Sequence, residues 1–131
     1  MIFVYPITIP PSTPKASAIV VTMPLAAGTI KRVNVQFPSG VVGLAFVSIT
    51  LGLNQVFPQN PDQAFTASGE TIFWDEEFPL LQEPYTLTAY GWNNDAVNAH
   101  TITLRFIIES GAAAPDLAGE VAKLLGSAAT A

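Results

Sequence analysis

Apolar and polar positions alternate with a period of two through much of the chain. Val33, Val35 and Phe37 alternate with Asn34 and Gln36. Tyr85, Leu87 and Ala89 alternate with Thr86, Thr88 and Tyr90. Ile102, Leu104, Phe106 and Ile108 alternate with Thr101, Thr103 and Arg105. Successive side chains of a strand point to opposite faces, so each set predicts a strand with one buried face. Ile30 is out of phase with Val33 to Phe37, which predicts a bulge near Lys31-Arg32. Gly43 to Leu51 is almost continuously apolar and reads as a central strand. Pro38-Ser39-Gly40 is a turn signal, so this run is expected to form a hairpin with Val33–Phe37. Ala16 to Met23 reads as a further strand, as do Phe65 and Thr71 to Trp74 around a Ser68-Gly69 turn. Asp75-Glu76-Glu77 then breaks the pattern and reads as a solvated loop.

The two ends differ from this body. Ile2 to Ile9 is apolar and β-branched but contains Pro6, which cannot donate to a ladder. It is expected to be an edge strand or an arm, followed by a stiff Pro10-Pro11-Ser12-Thr13-Pro14 hinge. Ser110 to Pro115 reads as a linker. Asp116 suits a helix N-cap, and Leu117, Val121, Leu124 and Leu125 fall on one face at helical spacing before Gly126. A helix this short is marginal alone and needs a surface to dock on. The expected organisation is an arm or edge strand over 1–14, a β domain over 15–110, and an alanine-rich linker with a short amphipathic helix over 111–131. Roughly seven or eight strands with turns between them predict an all-β fold, an antiparallel β-sandwich or jelly-roll-like single domain.

Composition sharpens this picture. Half of the 131 residues are hydrophobic and only 11% are charged, against about 25% in an ordinary soluble domain. Either a partner covers part of the surface, or the outer faces are dressed in Thr, Ser, Asn and Gln. The net charge is −5, and no Lys or Arg occurs between Val33 and Leu104. Nucleic-acid binding and docking on anionic lipid both need a basic footprint, so neither is expected. No apolar run approaches the roughly 18 residues of a membrane span. The Met1-Ile2-Phe3-Val4-Tyr5-Pro6 start has no basic region of a signal peptide, so the product is expected to be made in the cytoplasm without an export signal. There is no cysteine, hence no disulfide and no thiolate ligand or nucleophile.

Catalytic signals are sparse, and no enzyme activity or cofactor is expected. His100 is the only histidine and follows Asp95 closely, but Ser39, Ser48, Ser68 and Ser110 lack a nucleophile-elbow context. A hydrolase using His100 with Asp95 or a glutamate is the remote reading, and a strand-end histidine bonding a loop is the plain one. Asp75, Glu76 and Glu77 would point to alternating sides of extended backbone, so they cannot all face one calcium ion. Glu70, Glu83 and Glu109 offer carboxyls for a glycosidase, but nothing selects a pair. Tyr90 and Trp92 share the parity of Thr86 and Thr88 and so belong to the polar face or the strand end. Aromatics placed there anchor an interface or pack under a loop. Ile2, Val4, Tyr5, Tyr90, Trp92, Leu117, Val121, Leu124 and Leu125 are the interface candidates. Trp74, Tyr90 and Trp92 are the alternative, a platform for a glycan.

Two runs carry a family resemblance. One is Thr29-Ile30-Lys31-Arg32-Val33-Asn34-Val35-Gln36-Phe37-Pro38-Ser39-Gly40, continuing to Gly43-Leu44. The other is Tyr90-Gly91-Trp92-Asn93-Asn94-Asp95, followed by His100-Thr101-Ile102-Thr103-Leu104. Together, over Thr29 to Glu109, they resemble the small β-sandwich structural proteins of tailed bacteriophages, which serve as decoration, tail or connector components. The resemblance implies a virion location and a role in assembly or reinforcement without catalysis. It also implies partners that are further copies of the chain and other virion proteins of capsid or tail.

Overall fold

Alternation in the sequence becomes alternation in burial. In the computed structural model, which describes residues 1–110, eight strands run in chain order. They are β1 (Ile2–Ile9), β2 (Ile19–Pro24), β3 (Gly28–Phe37), β4 (Ala45–Leu51), β5 (Asn54–Phe57), β6 (Glu70–Leu80), β7 (Thr86–Asn93) and β8 (His100–Ser110). They form two four-stranded sheets, ordered β1-β8-β3-β6 and β2-β7-β4-β5. Every pairing is antiparallel. The result is a β-sandwich-like body. Its core takes the apolar parity of each strand, including Ile7, Val35, Ile49, Leu87, Leu104 and Phe106, none of them exposed.

The bulge expected near Lys31-Arg32 is present. The register of β3 shifts between Ile30 and Arg32 against both β6 and β8. One extra residue there restores the phase, so Ile30 and Val33 both reach the core although three positions apart.

The expected hairpin between Val33–Phe37 and the Gly43–Leu51 run does not form. β3 is flanked by β6 and β8, whereas β4 lies between β7 and β5 in the other sheet. Pro38 to Leu44 is therefore a crossover between sheets, with Val41 fully buried. The apolar run correctly marked an interior strand, but a turn signal does not state which sheet the chain enters next. The strand expected over Ala16–Met23 starts later, at Ile19, because Lys15–Ser17 forms a single 3-10 turn.

Asp75-Glu76-Glu77 is not a loop. It lies in the middle of β6, an 11-residue strand. Asp75 pairs with Arg32 at 2.9 Å and Glu77 with Lys31, both on the outer side, while Glu76 accepts a 2.8 Å hydrogen bond from the Trp74 indole. The strand tolerates this acidic run because β3 supplies the two cations opposite it, and the alternation of sides is as the sequence implied.

Ile2–Ile9 forms an edge strand of the first sheet, in register with β8 from Ile2–Ile107 to Ile9–His100. Met1 and Ile108 exchange both backbone hydrogen bonds, each at 2.7 Å. Hydrogen-bonded pairs alternate along an antiparallel ladder, so Pro6, opposite Thr103, falls at a non-bonded position. Its missing N–H faces the open edge and costs the ladder nothing. The helix expected around Leu117, Val121, Leu124 and Leu125 lies outside the described residues.

Candidate functional site

Four buried polar residues, Thr13, Asn93, Asp95 and His100, gather at one end of the body. Here β7 ends, β8 begins, and the proline hinge passes across both. Asn93 and Thr13 exchange backbone hydrogen bonds of 2.8 and 2.9 Å. The Asn93 side chain donates to the carbonyls of Asn98 (2.9 Å), Pro10 (3.2 Å) and Ile9 (3.3 Å) and accepts the Asp95 N–H at 2.9 Å. Asp95 continues the network. Its Oδ1 accepts the amides of Val97 (2.9 Å) and Asn98 (3.1 Å), and its Oδ2 lies 2.9 Å from His100 Nε2.

These donors have an electrostatic consequence. The Val97 amide, then the Asn98 amide and the His100 ring, hold the Asp95 carboxyl well below the usual carboxylate range. They also occupy the carboxylate. Among the described residues no hydroxyl hydrogen-bonds to His100, whose partner is Asp95. The His100–Asp95 pair therefore closes the turn from β7 to β8, with Asp95 rather than the histidine bonding the loop backbone.

A carboxyl whose folded pKa is depressed stabilises the fold above its unfolded value, about 3.9, and that contribution fades as pH falls through the folded value. We expect the thermal midpoint of the wild type to drop as pH is lowered from about 5 towards 2, and the drop to be shallower for Asp95→Asn. Parallel midpoint-versus-pH curves for the two proteins would contradict this assignment.

The candidate aromatics are largely engaged. Trp92 lies on the outer face of the second sheet but is only 9% exposed. It stacks on Phe46 with centroids 5.6 Å apart, and the Lys15 ammonium sits 5.2 Å above the ring. Trp74 packs against Phe57 and Phe65 on the inner side of β6. Tyr90 is half-buried, between Val20 and Ser48. Tyr5 points inward from β1, and its hydroxyl donates to the Pro24 carbonyl, tying the edges of the two sheets together. The sequence could not foresee the Lys15 turn that covers Trp92, since a three-residue 3-10 element has no periodic signature.

Ile2 and Val4 are exposed, at 63% and 50%. With half-buried Ile107 across the β1–β8 ladder they form an apolar corner on the outer face of the first sheet, bordered by Arg105 opposite Val4. The outer face of the second sheet is different, with Thr22, Thr86, Thr88 and Thr50 in neighbouring register. Of the low charge, hydroxyl dressing accounts for the outer face of the second sheet, while the first sheet exposes an apolar corner.

At the end opposite the Asn93 network, the β6–β7 connection and the β4–β5 turn bound an open groove of about 570 Å³. Leu51, Pro79, Leu80, Leu81 and Pro84 form its apolar lining, and Glu83 and Thr88 add polar groups. No sequence signal marked it. Among the described residues no group of three or more His, Cys, Asp or Glu side chains is placed to hold a metal ion, and no helix is long and apolar enough to cross a membrane. No protein-family profile matches the chain, and neither does any curated protein sequence.

Proposed function

We propose that this chain is a non-catalytic virion structural protein, a jelly roll that works through contacts between subunits. The strand order carries the reading. Pairs β1–β8, β2–β7, β3–β6 and β4–β5 are the four rungs of one long antiparallel ribbon, and rolling that ribbon up gives the orders β1-β8-β3-β6 and β2-β7-β4-β5. Eight-stranded double-sheet rolls of this kind recur in viral capsid domains and lectins. Fold alone does not assign function, so the surfaces weigh in. The apolar corner of Ile2, Val4 and Ile107 suits burial against a neighbouring subunit. The lectin alternative, which needs an open aromatic platform, has Trp92 covered and Trp74 packed among phenylalanines.

Light scattering on a size-exclusion column is the test, with Val4→Asp as the comparison. The wild type is expected to run as an assembly of several chains, or to bind virus shells. Val4→Asp is expected to lose that association with little change in thermal midpoint, because Val4 is half exposed. A wild-type protein that stays monomeric at high concentration and leaves virus shells bare would sink the proposal.

A further inference from the structure

Two apolar patches on the body each carry a charge without a counter-charge, and the signs are opposite. The first patch is the corner of Ile2, Val4 and Ile107, bordered by Arg105 on the outer face of the first sheet. Arg105 differs from the other described cations. Lys31 and Arg32 pair with Glu77 and Asp75, and Lys15 lies over the Trp92 ring. Arg105 has the neutral Gln36 amide as its side-chain partner. A guanidinium is shaped to hold a carboxylate through two parallel hydrogen bonds, and among the described residues no carboxylate reaches it.

The second patch is the groove at the β6–β7 end. Thr86 and Thr88 in its lining place it on the outer face of the second sheet. At its rim stand the most exposed leucines of the body, Leu81 at 65% and Leu53, fully exposed beside the lining residue Gly52. Glu83 in the lining makes no ion pair among the described residues. The patches lie on opposite outer faces, so one chain cannot close its own corner over its own groove. Two like patches are poorly matched. Corner on corner brings Arg105 near Arg105, groove on groove brings Glu83 near Glu83, and like charges at a contact suppress association. Corner in groove pairs the charges and covers both apolar sets. We propose that the Ile2–Val4 corner of one copy seats in the Leu53–Leu81 groove of the next, with Arg105 against the neighbour's Glu83. Such a contact uses two different surfaces, so each copy keeps one free for a further copy, and the series closes into a ring or runs on as a filament. The inference rests on the reading of a protein that works through subunit contacts, and it names the two surfaces.

Mixing two variants under light scattering is the test. Val4→Asp spoils the corner and Leu81→Asp spoils the groove. Both positions are at least half exposed, so each variant is expected to keep the wild-type thermal midpoint. Each alone is expected to be monomeric. Mixed, they are expected to form a complex with one copy of each and nothing larger, because one intact corner meets one intact groove. A mixture that stays monomeric would overturn the proposal. So would a Leu81→Asp protein that assembles like the wild type, an outcome that leaves the subunit-contact reading standing. A monomeric wild type also overturns it, and the wider reading falls too only where virus shells stay bare. As a second readout, Arg105→Glu and Glu83→Arg are each expected to weaken association about tenfold, and both together in one chain to restore it. A double exchange no better than the single ones would refute the pairing.

Discussion

Replacing Asn93 with leucine is expected to lower the unfolding free energy by about 4 kcal/mol, since each buried polar group left without a partner costs roughly 1–3 kcal/mol. The size of the effect comes from what the side chain satisfies. It serves the carbonyls of Ile9, Pro10 and Asn98 and the amide of Asp95, and Asn93 itself is completely buried. Leucine has similar bulk, so the loss reports hydrogen bonding rather than a cavity. Urea unfolding followed by the fluorescence of Trp74 and Trp92 measures it. The midpoint should move with the slope unchanged. A loss below about 1 kcal/mol would mean that solvent replaces these bonds and that the end of the body is looser than its geometry implies.

Gly91→Val is expected to cost about 3 kcal/mol, at the upper end of the usual penalty for overpacking a core. Gly91 sits in β7 between Ile19 and Val47. A Cβ there would come within 2.7 Å of Ile9 Cδ1 and 2.9 Å of Ile7 Cδ1, both from β1 in the facing sheet. Those isoleucines are fully buried and have little room to turn away. The glycine is thus present because β1 passes close over β7. Combining Gly91→Ala with Ile9→Val removes the nearest methyl, and the double variant should be more stable than the sum of the single losses. Strict additivity in thermal or urea unfolding would contradict the close approach.

How much of this was legible beforehand depends on the range of the signal. The Ile102–Ile108 alternation placed β8 correctly, because a period of two is written within one strand. The bulge at Lys31 was legible for the same reason, as a local break in phase. Pairing was not. Pro38-Ser39-Gly40 looks like a hairpin turn, yet it leads to another sheet, since partnership depends on the whole set of strands. The acidic run over 75–77 does not look like a strand, because its cations, Lys31 and Arg32, lie more than forty positions earlier. Asn93 stands in an Asn93-Asn94-Asp95 run of the kind that forms turns, and nothing local sets it apart. Its importance comes from the hinge carbonyls of Ile9 and Pro10, eighty-four and eighty-three residues away. The groove by Leu81 left no trace, being made by two loops meeting in space.

The β1–β8 ladder also bears on how the chain comes to be folded. Thr8 and Thr101 bond across it although they are 93 positions apart. On a ribosome adding about 5–20 residues per second, the isoleucine-rich first strand waits for seconds before its partner exists. Contacts so distant in sequence also slow the search for the native pairing. During that interval Ile2–Ile9 is an unpaired apolar strand open to any neighbour, and Pro6 within it is the one residue that spoils a continuous intermolecular ladder. The proline that costs the finished sheet nothing thus guards the nascent chain against aggregation.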